Sequence, residues 1–147
     1  MGWLLDTSIY SQVLKKRPIL ECLRKWEEMG DAQCVVSAVC LAQVEWGLNY
    51  AANERLWERY RELLEGRLEV LDVTTVTWRH FSRMKARQRL IGQAVGDLDL
   101  LIAASAVEHG LSVATLNKQD FSRIEGVSWE DWAIEISEKC VNWATLV

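Results

Sequence analysis

Two histidines, His80 and His109, stand alone in this 147-residue chain, and its four cysteines (Cys22, Cys34, Cys40, Cys140) share no C-x-x-C spacing. That pattern argues against a zinc site, and in a reducing compartment such thiols read as small buried hydrophobes. No apolar run approaches the ~20 residues that a membrane span needs. No basic region precedes the first apolar segment, residues 2–5. The expectation is a cytoplasmic protein with no membrane partner. Repeats, low-complexity tracts and Pro/Gly/Ser-rich linkers are also missing, so one domain over residues 1–147 is expected, with the tail from about residue 134 as a separate helix or a contact for a dimer mate or partner.

What is present fits a folded domain. Half of the residues are hydrophobic, which argues against disorder, and the length suffices to bury a core. Eight tryptophans are many, and Trp129, Trp132 and Trp143 crowd the carboxyl end, available for packing, dimerisation or a partner peptide. The net charge of −4 conceals an asymmetry: residues 73–96 hold no acid but five bases (Arg79, Arg83, Lys85, Arg87, Arg89), leaving 12 bases against 21 acids elsewhere. On a helix, Arg79, Arg83 and Arg87 fall at i, i+4 and i+8 and form one stripe, which is either a solvated face or a surface for RNA phosphates.

Taken in order, the chain alternates strands and helices. Residues 2–5 suit a buried first strand with Asp6 at its carboxyl end. Thr7 or Ser8 can cap the helix through Ile9, Val13 and Leu14, and Pro18 opens a second that stops near Gly30. A strand at residues 34–36 leads to a helix capped by Ser37, in which Gly47 would let another backbone approach closely. Asn53 caps a charged helix ending near Gly66, residues 68–71 form a further strand, and the basic helix fills residues 74–92. The pattern predicts an α/β fold with a parallel sheet of four or five strands covered on both faces.

The late stretch, residues 96–121, carries the most chemistry. Asp97 and Asp99 open a helix of small apolar residues, both in the first turn where the dipole favours negative charge, with Asp97 the better cap. Gly110 ends it in a left-handed conformation, and His109 is a favourable charge at its carboxyl end. A short strand at residues 111–114 follows, placing Thr115, Asn117 and Asp120 at its tip, where open parallel sheets take ligands. Asn117 and Asp120 also suit a reciprocal cap on a short helix.

Three segments resemble PIN-domain ribonucleases, in particular the VapC-type toxins of bacterial toxin–antitoxin pairs: Asp99-Leu100-Leu101-Ile102-Ala103-Ala104, Thr115-Leu116-Asn117-Lys118-Gln119-Asp120-Phe121, and Gly126-Val127-Ser128-Trp129-Glu130-Asp131-Trp132. The resemblance implies a three-layer α/β/α PIN-like domain. It also implies a nuclease that uses Mg²⁺ or Mn²⁺ held by three or four acids to cleave RNA, with tRNA or other structured RNA as the substrate class. Clustered carboxylates are hard to keep ionised without such a cation, which takes oxygen ligands. Homodimerisation and inhibition by a cognate antitoxin protein come with the family.

Carried over by residue, Asp6 matches the first acid, Asp99 the third, and Asp120 the region of the fourth, so Asp6 and Asp99 are expected to hold the metal. Thr7 and Asn117 support them. The second acid is replaced: Ser37-Ala38-Val39-Cys40-Leu41-Ala42-Gln43 puts Gln43 there, able to offer only a neutral carbonyl oxygen. Glu45 is the obvious substitute, yet two residues along a helix is about 200° of rotation, which turns it away from Gln43. The alternative to an endoribonuclease is therefore a PIN-fold module that binds RNA or antitoxin with weak or no hydrolysis. A third reading is an α/β scaffold that dimerises through its tryptophans without metal.

Overall fold

A computed structural model describes residues 2–133. The tail from about residue 134, with Cys140 and Trp143, lies outside them. Five strands form one sheet in the order β3-β2-β1-β4-β5: β1 (Trp3–Leu5), β2 (Cys34–Ser37), β3 (Glu69–Leu71), β4 (Ser112–Thr115) and β5 (Trp129–Asp131). All neighbours run parallel, with Leu4 opposite Val35 on one side and Val113 on the other. Central strands buried on both faces need continuous apolar runs. Leu4, Leu5, Val36, Val113 and Ala114 supply them at 2% exposure or less.

Helices α1 (Thr7–Tyr10), α2 (Leu20–Met29), α3 (Ala38–Ala51), α4 (Glu54–Leu63), α5 (Thr75–Leu90), α6 (Asp97–His109) and α7 (Lys118–Phe121) flank the sheet. The α/β class and parallel sheet are as the alternation predicts. Ser37 and Asn53 cap α3 and α4 through their side chains, and Gly110 ends α6 at φ +65°. Thr74 and Thr77 form a reciprocal cap at the start of α5.

Other local expectations shift. Neither Thr7 nor Ser8 caps α1; Asp6 holds the cap position. The first helix breaks after Tyr10 into a 3₁₀ turn (Ser11–Leu14), and α2 starts at Leu20 behind Ile19 rather than at Pro18. No backbone approaches Gly47 closely; a Cβ there would meet nothing within 4 Å. Strand β5 joins the sheet through residues legible only as a tryptophan-rich ending. Trp132, just past it, is fully buried and packs edge-on against Trp3 at 5.5 Å, so this tryptophan belongs to the core. Burying such a side chain contributes roughly 2–3 kcal/mol.

The amino ends of β2 and β3 carry a charge cluster. Arg67 Nε donates to both Asp31 carboxylate oxygens at 3.0 and 3.2 Å, and Trp26 Nε1 donates to the same group at 2.8 Å. The guanidinium also lies 4.1 Å over the Trp26 ring. Asp31 is thus neutralised and hydrogen-bonded from two sides.

Candidate active site

Because β1 is central, the chain lays β2 and β3 on one side of it and then crosses back to lay β4 and β5 on the other. The connections part above the carboxyl ends of β1 and β4, and a crevice at such a reversal is where open parallel sheets bind ligands. Asp6 follows β1 directly and Thr115 ends β4. The first-strand acid and the late-helix acid therefore meet, as the sequence requires of any joint site.

Asp6 is 4% exposed. Its Oδ2 accepts hydrogen bonds from Ser8 Oγ at 2.9 Å and Thr115 Oγ1 at 2.8 Å. The same two hydroxyls accept from the backbone beyond β4, Ser8 from Leu116 N at 3.0 Å and Thr115 from Asn117 N at 2.8 Å. They fasten the acid to the loop that carries the next one. Burial raises the Asp6 carboxyl above the usual carboxylate range, and the hydrogen bonds from Thr115 and Ser8 partly offset that.

Asp99 is half-buried in the first turn of α6. Its pKa is pushed up to about 6, first by burial, then by the Asp6 charge and by Asp120. Asp120 lies in the first turn of α7. Asn117 Nδ2 donates to Asp120 Oδ2 at 2.9 Å and, more weakly, to Asp99 Oδ2 at 3.5 Å, so it bridges the two carboxylates instead of capping α7. Among the described residues none of Asp6, Asp99 and Asp120 forms an ion pair.

Three adjoining acids without a counter-charge, all offering oxygen, are the donor chemistry that Mg²⁺ or Mn²⁺ takes. The residues fit such an ion in kind. In placement they adjoin pairwise, and among the described residues no group of three His, Cys, Asp or Glu side chains stands as a ready metal cage.

The remaining expected residues scatter around this cup. Gln43 on α3 reaches it: Thr7 Oγ1 donates to Gln43 Oε1, so the Thr7 hydroxyl serves Gln43 rather than the helix start. Glu45 instead accepts from Tyr60 OH at 2.9 Å, against α4. Asp97 is exposed and paired with Lys85 at 3.0 Å; Gly96 holds the cap position of α6. On α5, Arg79 and Arg83 are exposed and make no ion pair among the described residues, whereas Arg87 is held by Glu125 at 3.2 Å. His109 lies in the last turn of α6, 3.4 Å from Glu108.

Two features escape sequence reasoning. Beneath the cup, fully buried Cys40 donates through Sγ to Leu5 O at 3.3 Å, its thiol pushed up to about 12 by burial and then by the Asp6 charge. Beside the cup runs a groove of about 650 Å³ lined by Ala42, Gln43, Trp46, Val73, Trp78 and Leu98. Trp46 stacks on Tyr50 at 5.5 Å with both rings exposed.

An acid just past the central strand, a late-helix acid and a third on the short helix after β4, at the reversal of a five-stranded parallel sheet, define a PIN-type fold. The PIN domain family matches residues 3–127, and the chain belongs to it. Within the family it is similar to VapC proteins. It is 32% identical over 135 residues to "Ribonuclease VapC2" of Haemophilus influenzae, covering 90% of this chain and 98% of that protein. It is 29% identical over 136 residues to the "tRNA(fMet)-specific endonuclease VapC" of Shigella flexneri, covering 90% of this chain and 99% of that protein. The crystal structure of DNA-bound VapBC from Salmonella typhimurium superposes with a TM-score of 0.77 at 30% identity, covering 90% of this chain and 98% of that one.

Proposed function

We propose that this chain is a divalent-metal-dependent endoribonuclease, the toxin of a toxin–antitoxin pair, cutting tRNA or another structured RNA in the cytoplasm. The observation that carries the reading is the array of Asp6, Asp99 and Asp120 at the sheet reversal, with the Asp6 and Asp99 carboxyls raised in pKa and none of the three in an ion pair among the described residues. The VapC relatives named as ribonucleases and endonucleases support the same chemistry. The VapBC complex from Salmonella typhimurium supports an antitoxin protein as partner. The apolar groove beside the cup, lined by the exposed Trp46 and Trp78, suits a protein partner, and a homodimer is what the family resemblance implies. Residues 1–147 act as a single domain in this reading. Among the described residues no helix is long and apolar enough to cross a membrane.

Each residue has a task. When bound, Mg²⁺ or Mn²⁺ supplies charge for the transition state and acidifies a water. Asp6 and Asp99 would hold such an ion. Ser8 and Thr115 fix the Asp6 carboxylate through their hydroxyls on Oδ2, with the backbone at Thr7 and Ser8 adding to the hold. Asn117 fixes Asp120 through Oδ2, so Asp120 uses its other oxygen to orient the attacking water and take its proton. Arg79 and Arg83 draw the RNA backbone to α5, with Arg87 a weaker contributor because of Glu125.

Cleavage of an initiator tRNA transcript tests this. Product formation that needs Mg²⁺ or Mn²⁺, stops with EDTA, and falls by about 10³ or more in Asp99→Asn is expected. Cutting that persists in Asp99→Asn refutes the assignment. RNA retention without turnover in the wild type would make the chain a binding module.

A further inference from the structure

We infer that Gln43 is a substrate-binding residue whose amide nitrogen donates to a non-bridging phosphate oxygen of the RNA beside the cleaved bond, and that Thr7 is the positioning residue that turns the amide to do so. The inference rests on the nuclease reading above.

A carboxamide presents one acceptor oxygen and two donor N–H groups on nitrogen. Thr7 Oγ1 donates to Gln43 Oε1, which fixes the orientation of the side chain and occupies one of the two lone pairs of that oxygen. Nε2 makes no hydrogen bond among the described residues, although Gln43 is half-buried. The nitrogen is open to solvent, so an arriving acceptor takes the place of water there. Gln43 also lines the groove that adjoins the acid cup, so an arriving chain meets it at the rim. Phosphate is the acceptor that belongs there. A phosphodiester entering a cup of three acids is repelled by each of them, and even a bound cation offsets only part of that. A carboxylate at position 43 would add a fourth repulsion, whereas the amide of the same shape adds attraction and no charge. The carbonyl oxygen, the atom that the family pattern would turn to a metal, is already engaged by Thr7.

Binding of a fluorescein-labelled initiator tRNA transcript in EDTA, read by anisotropy, separates this role from both catalysis and metal binding. Gln43→Leu, which keeps the bulk and removes the donors, is expected to weaken binding about tenfold, and Gln43→Glu at least as much. Thr7→Val weakens it about threefold in the wild type but adds nothing in the Gln43→Leu background, as coupled residues do; Thr7→Ser restores it. The rise in melting temperature with Mn²⁺ stays unchanged in Gln43→Leu. Thermal melts without metal confirm that each variant is folded, and Gln43→Glu serves if Gln43→Leu is not. Wild-type RNA affinity in Gln43→Glu overturns the inference. Loss of the Mn²⁺ shift in Gln43→Leu also overturns it, by making the residue a metal ligand. A wild type that binds RNA with this dependence on Gln43 but never cuts refutes the nuclease reading and leaves the inference standing.

Discussion

The two ends of one parallel sheet treat carboxylates in opposite ways. At the amino ends of β2 and β3, Asp31 receives Arg67 on both oxygens and the Trp26 indole besides. At the carboxyl ends of β1 and β4, Asp6, Asp99 and Asp120 receive hydroxyls, backbone N–H groups and one amide but no cation among the described residues, and the Asp6 and Asp120 carboxyls raise the cost of ionising Asp99. Charge of the first kind holds the fold together. Charge of the second kind works against it and persists because the surrounding hydrogen bonds and packed strands fix it in place. The contrast separates what stabilises this protein from what it uses.

The largest expected consequence is a pH dependence of stability in EDTA. The folded-state pKa of Asp99 lies at about 6, above the ordinary 3.8, so the folded state binds this proton more tightly than the unfolded one. The corresponding stability is complete below pH ~4 and lost as pH rises through ~6, amounting to at most about 3 kcal/mol and less with partial solvent screening. Wild-type melting temperature should therefore fall between pH 4 and 7, Asp99→Asn should flatten the decline, and Mn²⁺ should reverse it at pH 7. A wild-type profile flat over that range would break the comparison at its functional end.

Arg67→Ala probes the other end. Removing the guanidinium leaves Asp31 with a single donor and uncovers the Trp26 ring, for a loss of about 1–2 kcal/mol in urea unfolding, discounted because the pair is partly exposed. The rate of RNA cleavage by the folded protein should not change. A rate that falls with stability intact would mean that the two ends are coupled.

Thr115→Val sharpens the division from within the cup. It deletes a hydrogen bond to ionised Asp6, so the Asp6 pKa rises further and the acidic limb of kcat/KM against pH moves to higher pH, with a stability cost of about 1 kcal/mol. An unmoved limb would exclude Asp6 as the group that sets it. The smallest effect belongs to the basic stripe. Arg79→Ala and Arg83→Ala should each weaken RNA binding a few-fold and lower its salt slope by roughly 0.7, with Arg87→Ala doing less because Glu125 already engages it.

The sequence makes local signals plain. Ser37 and Asn53 read as caps and act as caps, Gly110 reads as a left-handed stop and is one, and the apolar run before Asp6 forms the central strand. The gathering of Asp6 with Asp99 and Asp120 also follows, because strand alternation puts Asp6 and Asp120 past strand tips and the family pattern brings the helix-start Asp99 to the same edge. Hydroxyl roles are where reading the chain misleads. Thr7 and Ser8 beside a helix start look like caps, since a cap is a bond to the next few residues, yet Thr7 serves Gln43, 36 positions away, and Ser8 ties Asp6 to Leu116, 108 positions away. The same holds for β5, whose pairing with β4 is non-local, and for the groove, assembled from α3, α5 and α6 together.

Cys40 gives the protein a built-in clock. Its sulfur sits sealed under the Leu5 carbonyl with the proton held firmly in place, so an alkylating reagent such as iodoacetamide finds no thiolate to attack while the chain stays closed. Cys22 and Cys34 are buried and protonated in the same way, with thiols raised to about 12 and 11. The pace at which Cys40 becomes labelled thus times how often the interior beneath the cup breathes open, while Cys34, at the amino end of β2, and Cys22, on α2, time other parts of the core.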